Sequence, residues 1–381
     1  MDRILVLSYY HPLIAGGGHR PHQISIEDLR RGREVAFVCV SPTDLAQVQA
    51  LDEDALYKRC ACFHFDTESG GRLVPLTRHA RAMAYGATSL DELLATWRPD
   101  YIRSHAPLEV FLPLLEKLQA GGVPLLYDQM DMWSAFAVQP WGSSHAEQHY
   151  FELADAVTTI SNFMVERAPR GVNVHLLANA ISSTFLSAVA PNGNGLPPDD
   201  AGVKRILYMG AIWPDWFDWE LAYHMAENRP AYHFTFIGST TASADEDDGR
   251  QTHRLAARLA AYPNVSMIDE VPHMALVSWL NKADIGIIPF VVNDLTMACS
   301  PLKVFEYIGA GLPVVSTALP EIACYPMVTT GADYAQLVQH LDAPGRRQLS
   351  AQARRDAQEF INLNTWKQRV DKLDSIVGAL L

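Results

Sequence analysis

Lys303 and Glu306 stand three residues apart in Cys299-Ser-Pro-Leu-Lys-Val-Phe-Glu-Tyr-Ile-Gly-Ala-Gly-Leu-Pro-Val-Val315. Ser300 reads as an N-cap and Pro301 as the first residue of a helix that runs to about Gly309. The spacing puts both charged side chains on one face of that helix. The free N–H groups and dipole at its start suit an anion, and the Lys303 ammonium adds to that field. The Glu306 carboxylate suits hydroxyl donors. The simplest ligand offering a phosphate to the one and hydroxyls to the other is a nucleotide diphosphate. Locally, an ordinary capped helix with a surface Lys and Glu would read the same.

The flanking elements say where such a pair would sit. Ala283-Asp-Ile-Gly-Ile-Ile-Pro-Phe290 and Leu312-Pro-Val-Val-Ser316 are short apolar runs of the buried parallel-strand kind. The helix therefore opens at the carboxyl edge of a sheet, where open α/β folds bind ligands. A similar edge is expected near the N-terminus. Ile4 to Ser8 reads as a strand, followed by a loop containing Gly16, Gly17, Gly18 and Arg20, then a helix from Gln23 to Arg31 and a strand at Val35–Val40. The glycines are not spaced G-x-G-x-x-G, and no acid ends the second strand. The loop thus allows close backbone approach without specifying a dinucleotide. Pro99 to His105 reads as a strand that delivers His105 to its carboxyl end. Leu125-Leu-Tyr127 does the same for Asp128-Gln-Met-Asp131. An imidazole and a carboxylate at the edge that carries the glycine loop form a candidate site.

With 381 residues the chain is too long for one core. Hydrophobic content of 49% and charged content of 19% fit a folded protein. A formal net charge of −13 argues against nucleic-acid affinity. Five cysteines without framework spacing suggest reduced thiols, hence a cytoplasmic setting. Ile4–Leu7 is too short for a signal peptide, and no stretch approaches the ~20 apolar residues of a membrane span. No His/Asp cluster has metal-ligand spacing, and no cofactor is expected. Residues 43–96 are less regular. Arg72, Arg78 and Arg81 lie among Leu73, Leu76, Met83 and Tyr85, so a helix there could meet an anionic lipid surface. A solvated basic face is the plainer reading.

The segment 190–202 is the most linker-like in the chain. After it the β/α alternation restarts at Arg205–Met209, which ends at Gly210, and continues through His233–Ile237 and Val265–Ile268. The expected architecture is α/β, with two doubly wound domains at 1–188 and 203–350. A helical tail, 351–381, follows.

These residues resemble the GT-B nucleotide-sugar glycosyltransferases, especially family 4-like bacterial enzymes of surface-polysaccharide synthesis. The resemblance covers essentially the whole chain. It is carried by ADIGIIPF…SPLKVFEYIGAGLPVVS at 283–316, ILVLSYYHP…GGGHR near the N-terminus and YDQMDMWSAF at 127–136. It implies two Rossmann-like domains facing a cleft, the first binding an acceptor and the second a nucleotide-sugar donor, with the last helices crossing back to the first. Glu306 matches the carboxylate that takes the ribose hydroxyls. Lys303 and the backbone at Ser300, Pro301 and Leu302 match the diphosphate cradle. Gly16, Gly17 and Gly18 match the loop that approaches the donor, and Gly210 the turn after the first strand of the second domain. His105 matches the imidazole that contacts the donor sugar in retaining members. Asp131 matches, more loosely, the base of an inverting bacterial glucuronosyltransferase family of xanthan synthesis. Two departures leave the stereochemical course open. The retaining pattern E-x₇-E has Ala298 in place of its first glutamate. The usual Arg and Lys after the first strand of the second domain are replaced by Gly210-Ala-Ile-Trp-Pro-Asp, so Lys303, with Arg20 as helper, would supply the charge.

The function expected is transfer of a sugar from a UDP- or GDP-sugar to the hydroxyl of a carbohydrate, lipid-linked or small-molecule acceptor, in polysaccharide or glycolipid synthesis. The protein would be cytoplasmic, with peripheral membrane contact at most. A GT-B sugar-nucleotide epimerase and a non-catalytic GT-B partner subunit are the alternatives.

Overall fold

The computed structural model describes residues 3–10, 18–41, 55–84, 86–136, 144–189, 203–240 and 246–381. Gly16, Gly17 and the linker at 190–202 lie outside the described residues. The chain divides into two compact units, Met1–Ala178 with Trp366–Leu381, and Asn179–Thr365.

The first unit is built on eight strands: β1 (Arg3–Ser8), β2 (Glu34–Cys39), β3 (Cys60–Asp66), β4 (Arg72–Pro75), β5 (Tyr101–Ser104), β6 (Leu125–Gln129), β7 (Ala156–Thr159) and β8 (Val174–Leu176). Their order is β4-β3-β2-β1-β5-β6-β7-β8. Every pairing is parallel except β3 with β4. Ile4, Leu5, Val6 and Leu7 are all fully buried. A strand covered on both faces needs a continuous apolar run, and each such side chain contributes about 1.5–3 kcal/mol. The chain leaves β1 to both sides of the sheet, toward β2 and toward β5. That makes the carboxyl ends of β1 and β5 the switch point at which open α/β sheets bind ligands.

The second unit holds β9 (Arg205–Met209), β10 (His233–Ile237), β11 (Val265–Ile268), β12 (Ile285–Ile288), β13 (Val314–Thr317) and β14 (Val328–Gly331). Their order is β11-β10-β9-β12-β13-β14, all parallel, with the switch point between β9 and β12. The helix Leu302–Gly309 is fixed there by Tyr307. The Tyr307 hydroxyl accepts from the Met209 N–H at 3.1 Å and donates to the Leu207 carbonyl at 3.2 Å. The ring can lie flat on β12 because Gly286 has no side chain: a Cβ there would come within 2.6 Å of Tyr307 Cδ2. The helix ends as expected at Gly309, and Gly311 takes the left-handed turn with φ 73°.

Several expectations are corrected. β3 and β4 were expected as irregular chain; they form a hairpin through Gly70 and Gly71, both at positive φ. Arg72 therefore lies on a strand, and only Arg78 and Arg81 share the short helix Arg78–Ala84, both exposed. The first helix spans Arg20–Arg30 and starts at Arg20, not Gln23. Residues 179–188 pack in the second unit, and the tail divides near Asn364 into Ala351–Leu363 and Trp366–Gly378. Phe360 of the former stacks on Phe305 at 6.0 Å, which holds it to the second unit. The latter belongs to the first unit, where Asp371 and Asp374 pair with Arg31.

Candidate functional site

In the second unit the Leu302 helix presents an open N-terminus. Pro301, at φ −62° and ψ 121°, takes the N-cap position, and no side chain caps it. Ser300 is therefore not the cap. It is fully buried, its carbonyl accepts from Asn179 Nδ2 at 2.7 Å, and its hydroxyl finds no partner among the described residues. Uncapped, the N–H groups of Leu302 and Lys303 have no acceptor within the helix and carry the positive end of its dipole.

Lys303 leans back over the end of β9. Its Nζ donates to Tyr208 Oη at 3.1 Å and lies 4.3 Å from the Tyr208 ring centroid and 4.6 Å from that of Phe290. Burial pulls the amine down to about 8, against the pull of Cys299 and Glu306. Gly210 is what lets it approach: φ is +120°, and a Cβ would come within 2.9 Å of the Lys303 Nζ. Lys303 and Gly210, selected separately in the sequence, thus meet. A partly shielded cation against two aromatic faces interacts more strongly with an entering anion than one in open water.

One turn on, Glu306 has a partner that the sequence did not point to. His273 Nε2 lies 2.5 Å from Glu306 Oε1, and the side chains are 14% and 12% exposed. The imidazole stacks on Phe185 with centroids 4.4 Å apart and planes 13° apart. Burial opposes the charge on His273, but the hydrogen bond and charge of Glu306 outweigh it and its pKa is raised. His273 opens the 3₁₀ turn His273–Ala275, which runs straight on into the α-helix Leu276–Leu280. The one signal in the sequence for it is its place just past the carboxyl end of β11, the sheet edge at which open α/β folds bind ligands.

In the first unit the chemistry gathers on Asp128, which is fully buried near the end of β6. Arg20 grips it with two bonds, Nε to Oδ2 at 2.7 Å and Nη2 to Oδ1 at 2.8 Å. Thr158 Oγ1 donates to Oδ1 at 2.5 Å, and His105 Nδ1 lies 2.8 Å from Oδ2. Burial alone would raise this carboxyl; Arg20 and His105 outweigh it and hold it far below the usual carboxylate range. His105 Nε2 accepts from Arg103 Nε at 3.2 Å, so the ring proton sits on Nδ1, toward Asp128. Burial lowers His105 to about 4 in spite of Asp128, and the imidazole is neutral at physiological pH. Arg103 continues the chain of charges to Asp28 at 2.8 Å. The indole of Trp366 lies 5.7 Å from the Arg20 guanidinium carbon.

This arrangement corrects two expectations. His105 is fully enclosed, with Nε2 accepting from Arg103 and Nδ1 2.8 Å from Asp128, so it does not face a sugar. Arg20 is 3% exposed and its guanidinium is committed to Asp128, so it is no helper for a diphosphate. Asp131 is different. It leaves the end of β6 just before the 3₁₀ turn Trp133–Ala135 and is partly exposed. Desolvation pushes its carboxyl up to about 7, and the charge of Arg20 pulls the other way. A carboxyl poised near neutrality can take a proton from a hydroxyl. Gly18, the described glycine of the loop, lies in the turn that leads into the Arg20 helix.

Residues 203–344 match the family described as Glycosyl transferases group 1. A curated protein of Bacillus subtilis (strain 168), "Putative teichuronic acid biosynthesis glycosyltransferase TuaH", is 27% identical over 235 residues, 55% of this chain. The chain spans 53% of the length of that relative. Among solved structures, sucrose-phosphate synthase from Thermosynechococcus elongatus is 16% identical with a TM-score of 0.70, covering 100% of this chain and 99% of its own. Anabaena HepE, solved in complex with UDP, is 13% identical with a TM-score of 0.66, and each chain is covered in full (100% and 100%). At these identities the two structures establish the fold.

Proposed function

We propose that this GT-B chain, whose residues 203–344 form a group 1 glycosyltransferase domain, moves a sugar from a nucleotide diphosphate donor to an acceptor hydroxyl. The observation that carries the reading is Lys303, desolvated beside Gly210 at an uncapped helix N-terminus, with Glu306 one turn along. The helix end and Lys303 take the diphosphate, and Glu306 takes the ribose hydroxyls. As the glycosidic bond breaks, charge grows on the leaving diphosphate, and fixed N–H groups and an ammonium aimed at it lower the barrier. This assignment asks no metal of the site. Asp131 accepts the proton of the attacking hydroxyl, as an inverting displacement requires. The buried Arg20–Asp128–His105 cluster holds the end of β6 from which Asp131 departs.

The HepE fold neighbour is solved with UDP-glucose, which favours UDP over GDP as the base-bearing half of the donor. The teichuronic acid relative favours a carbohydrate or lipid-linked acceptor in surface-polysaccharide synthesis. No described helix is long and apolar enough to cross a membrane. Arg78 and Arg81, exposed on one short helix, are the groups that would meet an anionic membrane surface in peripheral contact.

A thermal-shift screen of UDP, GDP, ADP and dTDP tests the reading, because a ligand that binds the native state raises the melting point by mass action. One of them is expected to stabilise the protein. Glu306→Ala is expected to weaken that nucleotide about 10- to 100-fold by calorimetry, the loss of about 1.5–3 kcal/mol from hydrogen bonds to a charged group. Stabilisation by none of the four would overturn the reading, and unchanged binding by Glu306→Ala would overturn the ribose assignment.

A further inference from the structure

Glu306 does not stand alone, and its partner has consequences for what it can do. Its Oε1 is held by His273 at 2.5 Å, and the imidazole lies flat on Phe185, which is itself fully buried. Phe185 belongs to the short helix Ser183–Ala188, whose chain enters the unit at Asn179. Asn179 in turn holds the Ser300 carbonyl, immediately before the Leu302 helix. The segment 179–188 thus braces the site twice, once at the helix start and once behind the imidazole. Pro272, at φ −53°, sets the turn that delivers His273. A surface ion pair of two free side chains would be worth little; this one is largely shielded and its ring is fixed by stacking.

We propose that His273 is a positioning residue for the donor nucleotide: as the imidazolium it holds Glu306 by Oε1, leaves Oε2 to the ribose diol, and offsets the carboxylate charge that an entering diphosphate would otherwise meet. The inference rests on the proposed function, since it assumes that Glu306 meets the ribose. Its consequence is a proton linkage. Among the described residues Glu306 is the charge acting on His273, and Phe185 brings none from its helix. Lys303, on the same helix, also feels the charge of Glu306. The His273 pKa is raised, so its charge is complete below the ordinary histidine range and is lost as pH rises through the raised value. Nucleotide affinity falls over that interval. A second decline belongs to Lys303, whose ammonium is lost from about 8 upward.

The test is calorimetric titration of UDP-glucose and GDP-mannose, whose phosphate diesters do not titrate between about pH 6 and about pH 9. The full chain is compared with His273→Gln, His273→Ala and Glu306→Ala. His273→Gln keeps an N–H donor for Glu306 without the charge. It is expected to bind the accepted sugar nucleotide about 5- to 10-fold more weakly at low pH, to converge on the wild type at high pH, and to lose the lower of the two declines. His273→Ala is expected to be weaker at every pH. If Glu306→Ala binds weakly while His273→Gln keeps wild-type affinity and the wild-type pH profile, the inference is overturned and the proposed function stands. If neither sugar nucleotide binds the wild type, or Glu306→Ala binds like it, the ribose assignment fails and the inference with it.

Discussion

Asp131→Asn is expected to lower sugar transfer by about 10²- to 10⁴-fold, the usual contribution of a positioned general base. The amide keeps the size of the carboxyl and cannot accept the proton. Nucleotide affinity should be unchanged, because the groups assigned to it lie in the other unit. The pH profile gives a sharper signature than the rate alone. Asp131 must be ionised to act, and burial holds its carboxyl near 7. Wild-type activity should therefore rise with pH through about 7, while the residual activity of Asp131→Asn shows no such rise. Release of the nucleoside diphosphate, followed both with an acceptor and in slow hydrolysis of donor alone, measures this. A near-wild-type rate for Asp131→Asn would end the assignment. Isomerisation of donor incubated alone would point to epimerase chemistry instead. Tight donor binding without any turnover would point to a non-catalytic subunit.

The second large effect is on stability. Asp128→Ala removes the carboxylate that Arg20 grips with two bonds and that His105 and Thr158 also contact. What remains is a guanidinium 3% exposed that has lost its two bonds to this carboxylate. Breaking a buried pair from one side costs about 3–5 kcal/mol, more than the pair is worth against a hydrophobic replacement. For a unit of this size that lowers the melting temperature by about 6–20 °C. The double variant Arg20→Met with Asp128→Leu should recover a large part of the loss, since it buries no uncompensated charge. The pair also sets an acid limit. The folded Asp128 carboxyl lies far below its unfolded value, so its contribution is whole above the ordinary carboxylate range and drains away as pH falls below it. Scanning calorimetry of the three proteins at neutral and acid pH reads both effects. A loss below about 1 kcal/mol for Asp128→Ala would show that the pair is dispensable.

What could be read from the residues, and what could not, divides along physical lines. β9, β10 and β11 fall at the residues expected: β9 is a mostly apolar, buried run, β10 alternates buried Phe with part-buried polar residues, and β11 is a short edge strand bounded by turns. β3 and β4 escaped because Cys60-Ala-Cys62 and Arg72-Leu-Val-Pro75 lack the β-branched density of a strand and draw on cross-strand pairing for their stability. Lys303 with Gly210 could be anticipated, since a glycine at a strand end and a lysine at a helix start are both local signals. The fate of Arg20 and His105 could not. Each stands where a ligand group would stand, at the sheet edge. The carboxylate that claims both is Asp128, 108 residues from Arg20 in the chain. β6 also runs two residues further than its apolar run, to Gln129, which draws Asp128 into the sheet and leaves Asp131 outside it. Ser300 was taken for the cap because Ser before Pro is the common pattern. Here Pro301 itself sits at the cap, and no side chain caps the helix N-terminus.

The claim on which the rest depends is that the open end of the Leu302 helix and Lys303 together hold a diphosphate. Titration of UDP and UMP, and of GDP and GMP, against the wild type and Lys303→Ala tests it directly. The second phosphate should tighten binding of one base at least 10-fold in the wild type, and most of that gain should vanish in Lys303→Ala. Equal binding of mono- and diphosphate by the wild type, or a diphosphate preference that survives in Lys303→Ala, would contradict the account.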